Sequence, residues 1–99
     1  MREQELVRSI LQWLSYKRIF AWRQNSGAFK TERGNFYRMG INGAPDIFIL
    51  KDGIIYACEC KVGKNKQNEN QIQFQKDFEK NGGKYFVARQ LDDIIKILV

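Results

Sequence analysis

Three charged residues near the middle of the chain have the types and spacing that phosphoryl chemistry needs. Asp46 follows Pro45 at the start of one apolar run, and Glu59 and Lys61 end the next. Side chains alternate along a strand, so Glu59 and Lys61 share a face while Cys60 points away. Two neighbouring carboxylates repel each other, and Mg²⁺ or Mn²⁺, which prefer oxygen ligands, relieve that repulsion. A lysine beside them can orient a water or offset charge on a phosphoryl transition state, so the pattern indicates metal-dependent phosphodiester hydrolysis.

A tight turn brings these residues together. Asp52-Gly53 is typical of a hairpin, which would pair a strand over Asp46–Lys51 with a strand over Ile54–Val62. Counting outward from the turn along the antiparallel pair places Asp46 near Tyr56 to Glu59, so that Asp46 and Glu59 can meet at one edge of the sheet. The first strand is continuously apolar, which predicts burial on both faces. The competing interpretation is a turn aspartate and an ordinary surface Glu-Lys pair, but the whole combination is much rarer by chance than Glu-x-Lys alone.

Two helices bring further polar candidates. Apolar residues at helical spacing predict a first helix over Glu3–Lys17, and Glu3 lies at the end of its apolar stripe, where it would supply a third carboxylate. A simple favourable interaction with the helix dipole, or Glu5 in the same role, remains open. A second helix is predicted over Gln71–Lys80, with Phe74 and Phe78 at i, i+4 as core. Gln67, Gln73 and Gln75 are alternatives to Gln71 as a site residue.

Composition and charge narrow the class of function. The chain has 99 residues and no histidine, which excludes Ser-His-Asp and Cys-His nucleophile systems and histidine-ligated zinc. Its net charge of +6 favours an anionic partner, most simply nucleic acid, although it also serves solubility alone. The start is polar and no apolar run is long enough to span a membrane, which indicates a cytoplasmic protein with two reduced cysteines. The basic candidates for contact with DNA are Arg23, Lys30, Arg33, Arg38, Lys64 and Lys66.

The remaining pattern predicts a single α/β domain over residues 1–99. Strands are expected at Ile19–Gln24 and Tyr85–Ala88, and a last helix at Leu91–Leu98. A short further strand at Asn35–Met39 lies in a basic, glycine-rich excursion. The expected order is α-β-β-β-α-β-α, with that short strand added after the first, and the expected architecture is a mixed β-sheet flanked by helices.

Six spaced motifs also occur in a defined order along the chain. They are Glu3 before Leu6-Val7 and Leu14; Trp22-Arg23-Gln24-Asn25-Ser26-Gly27; Gly43-Ala44-Pro45-Asp46; Glu59-Cys60-Lys61; Gln71 with Phe74; and Gly83-Lys84-Tyr85-Phe86-Val87. Together they resemble the VRR-NUC branch, the virus-type replication-repair nucleases, of the PD-(D/E)xK nuclease superfamily. The resemblance runs from Glu3 to about Ile94, so it is to a stand-alone minimal member.

The resemblance implies a restriction-endonuclease-like core and DNA cleavage that depends on Mg²⁺ or Mn²⁺. It implies homodimers that act on branched DNA, similar to Holliday-junction resolvases, and a loop near the site that contains Asn25 and Ser26. The site residues that it implies are the metal ligands Glu3, Asp46, Glu59 and the backbone carbonyl of Cys60, the catalytic Lys61, and Gln71.

Two other functions fit the sequence. One is a basic DNA-binding module without chemistry, in which the carboxylates are structural. The other is a nuclease subunit that a helicase or another replication protein directs to its substrate.

Overall fold

A computed structural model describes residues 1–24, 27–30, 32–39 and 41–99, with side chains in 1–24, 32–35 and 41–99. It contains three helices and six strands within those ranges. They are α1 Glu3–Tyr16, β1 Phe20–Arg23, β2 Gly27–Lys30, β3 Phe36–Met39, β4 Ile47–Lys51, β5 Ile54–Cys60, α2 Glu69–Lys80, β6 Lys84–Ala88 and α3 Leu91–Leu98.

The central sheet has four strands in the order β1-β4-β5-β6. β1 pairs antiparallel with β4, and β4 pairs antiparallel with β5 across the predicted Asp52-Gly53 turn, where Lys51 lies opposite Ile54. β5 and β6 are parallel, and α2 supplies the crossover that a parallel pair requires. The sheet is therefore mixed and flanked by helices, which confirms the predicted fold class. Strands β2 and β3 form a separate hairpin.

One face of the sheet carries the main core. Ile47 and Ile49 of β4 and Cys58 and Cys60 of β5 are fully buried there. They pack against an apolar stripe on α1 and against α3, and the members of those helices in the cluster are Leu6, Val7, Ile10, Leu14, Ile94 and Leu98. The stripe predicted for the first helix is thus the surface that fixes α1, and with it Glu3, to the sheet.

The opposite face is only partly covered. α2 packs on this face near β6, and the chain's apolar residues on β1 and β4 extend beyond it. Leu50 is 41% exposed and Trp22 39%, while Phe48 is half-buried. The prediction that the first hairpin strand is buried on both faces is therefore wrong for this face. Among the described helices, α2 is the one on this face, and it packs mainly on β6, which leaves β1 and the end of β4 uncovered.

Predicted boundaries agree with the structure to within one or two residues for most elements. The last helix, Leu91–Leu98, is as predicted, and the short strand expected at Asn35–Met39 is β3. Strand β2, Gly27–Lys30, was not predicted, because its Gly-Ala start shows no alternation of apolar and polar residues. Among the described residues, no helix is long and apolar enough to cross a membrane.

Candidate active site

The structure brings Asp46 and Glu59 together at the edge of the sheet. The strand register pairs Ile47 with Cys58, so the next position places Asp46 directly opposite Glu59. Asp46 is held in place by a hydrogen bond from the backbone N–H of Cys60 to its Oδ2, at 2.8 Å. Glu59 is the one buried charged residue among those described, with 3% of its surface exposed. The predicted convergence of the two carboxyl groups is present in the structure.

The surroundings of Glu59 change its ionisation. Burial, then a hydrogen bond and charge repulsion from Asp46, raise the pKa of Glu59 to about 9. Lys61 acts in the opposite direction and lowers it, but too weakly to cancel the other effects. Without a cation, Glu59 therefore keeps its proton at neutral pH and shares it with Asp46. A nearby cation would favour the ionised form of Glu59, and two adjacent carboxyl groups are an oxygen-donor set that suits Mg²⁺ or Mn²⁺.

Gln71 connects the helix α2 to this pair. Its Nε2 donates to Glu59 Oε2 at 2.9 Å, while its Oε1 accepts from the backbone N–H of Asn68 at 2.9 Å. Asn68 in turn caps the helix by accepting from the Gln71 backbone N–H, which completes a capping box. The box fixes the amide so that its NH₂ group faces the carboxylate. Of the alternatives, Gln67 donates to Gln75 and to the Tyr85 hydroxyl, and Gln73 donates to Asp77.

Asn68 is a residue that the sequence reasoning missed. The sequence contains the signal for it: an Asn followed three residues later by Gln, just before a segment with helical apolar spacing, predicts a helix N-terminus. This capping pattern places the start of α2 at Glu69 instead of Gln71.

Gly43 is a second residue whose role was not recognised. It has a φ of +78°, and a Cβ there would collide with the backbone carbonyl group of Asn70 and with the Gln71 nitrogen. The turn that leads into Pro45 and Asp46 can therefore lie directly on the first turn of α2. Since Asp46 follows this contact and Gln71 belongs to it, the glycine sets the distance between the two sides of the site.

The backbone carbonyl of Cys60 lies at the end of β5, beside the carboxylate pair. Two positions beyond the paired residues Ile47 and Cys58, Pro45 stands opposite Cys60. Proline has no N–H group, so β4 supplies no ladder donor to that carbonyl. Lys61 is half-buried directly after the strand, and its backbone N–H donates to the Ala88 carbonyl at 3.0 Å. The described residues make no ion pair with its ammonium group within 4 Å.

Glu3 is not brought into a three-carboxylate group. Its Oε2 accepts a hydrogen bond from Asn65 Nδ2 at 3.3 Å. No three His, Cys, Asp or Glu side chains in the described part of the chain form a group that could hold a metal ion. Arg89 fixes the loop that carries Asn65, because its guanidinium donates to the carbonyls of Gly63 and Asn65 at 3.2 and 2.9 Å. Glu5 instead lies 3.9 Å from Arg2 on the exposed side of α1.

The basic candidates fall into three groups. Arg23 is exposed at the end of β1, next to Gln24, whose backbone N–H donates to the Asp46 carbonyl at 2.8 Å. Lys64 and Lys66 are exposed in the loop after β5. The third group lies in the excursion between β1 and β4, where Arg33 is exposed in the β2–β3 turn. Lys30 lies on β2 and Arg38 on β3, and their side chains are outside the described set. The loop residues Asn25 and Ser26 lie outside the described residues.

The thiol groups of the two cysteines lie away from the carboxylate site. Both are fully buried on the core face and neither forms a disulfide. A hydrogen bond with Cys60 and burial raise the pKa of the Cys58 thiol, so it stays protonated. A buried protonated thiol is a poor nucleophile, which leaves the carboxylates and Lys61 as the groups here that can do chemistry.

No protein-family model matches the chain, and no curated protein matches it either.

Proposed function

We propose that this protein is a Mg²⁺- or Mn²⁺-dependent endonuclease that hydrolyses phosphodiester bonds in branched DNA, as a stand-alone nuclease of the VRR-NUC type. The observation that carries the proposal is the buried Glu59 opposite the half-buried Asp46 at the sheet edge, with Lys61 two residues beyond Glu59. Burying a carboxyl group beside a second one costs free energy that an ordinary structural role does not repay. A binding role for a divalent cation accounts for it.

A metal ion would be held by the free oxygen of Asp46, by Glu59 and by the backbone carbonyl of Cys60. It would supply a polarised phosphate and an activated water. The described residues provide fewer ligands than a full octahedral shell, and Mg²⁺ commonly fills such a shell with water and substrate phosphate oxygens. In the structure, the Glu3 carboxylate accepts a hydrogen bond from Asn65. In this proposal Glu3 would act as a ligand through a water molecule on the metal ion, or directly after a shift of the Glu3 side chain.

The chain's own residues divide the remaining work. Lys61 places a positive charge beside Glu59, where it orients the attacking water or offsets charge on the phosphoryl group. Gln71 keeps Glu59 in one rotamer through the capping box. The exposed cations Arg23, Lys64 and Lys66 contact backbone phosphates on either side, and the net charge of +6 provides the general attraction to DNA.

Branched DNA and a homodimer complete the proposal. A domain of 99 residues offers a small basic surface, and a second copy doubles it and places two sites for paired cuts in a four-way junction. With DNA as substrate, the protein acts inside the cell. Sedimentation of the protein alone and with a junction tests the dimer: a monomer in both conditions would refute it.

Cleavage of labelled DNA tests the nuclease directly. Four-way junction, flap and linear duplex are incubated with Mg²⁺, Mn²⁺ or EDTA, and products are mapped at nucleotide resolution. We expect metal-dependent cuts near the branch. Lys61→Ala should lower the cleavage rate by about 10²–10⁴-fold with junction affinity within about threefold, while Lys96→Ala, an exposed lysine on α3, should change neither. Tight binding with intact DNA under every metal would refute the nuclease.

The non-catalytic DNA-binding module is the second candidate. It is favoured by the absence of a third metal-ligating side chain near Asp46 and Glu59 among the described residues. The two functions differ in Lys61→Ala: a loss of junction binding in step with any activity would make Lys61 a phosphate contact.

A further inference from the structure

A cavity of about 640 Å³ opens between α2 and the uncovered part of the sheet. Its apolar lining includes Phe48 of β4, Phe74 and Phe78 of α2, and Ile41 and Ala44 of the segment before β4. The three phenylalanine rings contact one another, with centroids 5.5 to 6.3 Å apart. Phe74 and Phe78, which the sequence predicts as core, are half-buried because they face this cavity.

The cavity adjoins the carboxylate pair. Phe48 lies two residues after Asp46 on the same face of the sheet, at a separation of about 6–7 Å along the chain. Gln24 lines the cavity, and its backbone N–H holds the Asp46 carbonyl at 2.8 Å. Asn70 lines it as well and immediately precedes Gln71, the partner of Glu59. A phosphate at the pair therefore lies within about one nucleotide of the cavity.

The residues that line the cavity favour a flat, uncharged ligand with polar edges. It contains aromatic rings, and the carboxamide side chains around them belong to Gln24, Asn42, Asn70, Gln73 and Asn81. Among the described residues that line the cavity, Asp77 is the one charged side chain and none is lysine or arginine, so these residues offer a phosphate group no counter-charge. Aromatic faces stack on flat heterocycles, and carboxamide and carboxylate groups hydrogen-bond their edges. A nucleobase has both features and carries no charge.

We propose that this cavity binds one unpaired nucleobase of the DNA strand whose phosphodiester lies at Asp46 and Glu59. The inference rests on the proposed function for the position of that strand. Trp22 lies at the outer edge, 39% exposed and with its ring 5.6 Å from that of Phe48, and extends the stacking surface. A base inside a duplex must leave its partner to enter, so the cavity favours nucleotides that are already unpaired, as at a branch or flap.

The test compares DNA that has the base with DNA that lacks it. Forked duplexes carry either 2-aminopurine or an abasic residue at each of the first three positions beside the branch, and their binding to the wild-type protein is measured in EDTA. At one position the abasic residue should raise Kd about 5- to 100-fold, and 2-aminopurine there should be quenched. Equal affinity at all positions would overturn the inference.

Variants locate the effect in the cavity. Phe74→Leu should remove most of the preference for the base and leave abasic affinity unchanged, whereas Tyr16→Leu, a change at an exposed ring at the end of α1, should preserve it. Gln73→Ala, on the exposed rim of α2, should lower the preference without affecting folding. If Phe74→Leu instead shifts the monomer–dimer equilibrium and leaves base preference intact, a second copy occupies the cavity and the inference is wrong.

Cleavage in Mg²⁺ by the same wild-type protein separates this inference from the proposed function. Cleavage without a base preference would overturn the inference alone. A base preference without cleavage would support the cavity and overturn the nuclease.

Discussion

In the absence of a divalent cation, Glu59→Gln should abolish a loss of stability that the wild-type protein shows as pH rises. The carboxyl group of Glu59 keeps its proton in the folded protein up to about pH 9, whereas in the unfolded chain it loses it near its ordinary pKa of 4.5. Between these values the folded state binds the extra proton, so raising the pH favours the unfolded state. Glutamine does not titrate, and it still offers an oxygen to the Gln71 amide.

The magnitude follows from the size of the shift. While one proton is released on unfolding, the free energy of unfolding falls by about 1.4 kcal/mol for each pH unit. From pH 5.5 to 8.5, both inside the window, the wild-type protein should lose about 4 kcal/mol, a large share of the 5–15 kcal/mol that is usual for a domain. Glu59→Gln should show a nearly flat profile over the same range and be the more stable protein at pH 8.5.

Urea denaturation in EDTA, followed by tryptophan fluorescence at half-unit steps of pH, measures this directly. Glu79→Gln, an exposed glutamate on α2, is the matched control and should keep the wild-type slope. Adding Mg²⁺ at pH 8.5 should restore stability to the wild-type protein by binding the folded state, and should have little effect on Glu59→Gln. A wild-type profile that is flat in EDTA, or a variant with the same slope, would refute the assignment of the shared proton to this pair.

Three further outcomes are expected from the geometry around the site. Gly43→Ala should lower the free energy of unfolding by more than about 2 kcal/mol, because the added Cβ meets the α2 backbone. Gly82→Ala, at a similar positive φ but in open space, should lower it by only about 1 kcal/mol. Equal losses in urea titrations would contradict the close contact at Gly43. Asn68→Ala should lower the free energy of unfolding by about 0.5–2 kcal/mol through the lost helix cap, and it should weaken Mg²⁺ binding measured by calorimetry. Unchanged metal affinity would mean that Gln71 keeps its position without the cap. Cys58 and Cys60 should not react with a thiol reagent until the protein unfolds, so labelling of the native protein at the rate of a free thiol would contradict their burial.

Local signals were enough to predict the carboxylate pair. The Asp52-Gly53 turn predicts the hairpin, and counting outward from it places Asp46 within the range Tyr56 to Glu59. The observed register then sets Asp46 opposite Glu59. Helix periodicity likewise predicted which face of α1 is buried. These are properties of neighbouring residues, so they do not depend on how distant elements pack.

Burial on the α2 side could not be predicted in the same way. Phe48 and Phe74 look like core residues in any sequence pattern, but their exposure depends on how much of the sheet a 12-residue helix covers. Glu3 shows the same limit: its place at the end of the apolar stripe was readable, whereas its hydrogen bond to Asn65, 62 residues away in the chain, depends on the loop that Arg89 holds. Tertiary contacts decided both cases.

The anchoring of the two chain segments beside Asp46 has a consequence for how this protein can vary. Gln24 is tied to the Asp46 carbonyl, and Gly43 rests on the α2 backbone, so both ends of the intervening segment are fixed at the same edge of the sheet. Changing the length of a segment between two fixed points is inexpensive, about 0.6 kcal/mol for each doubling. The β2–β3 hairpin is therefore an exchangeable module: its reach and charge can change between related chains while the distance between Asp46 and Glu59 stays the same.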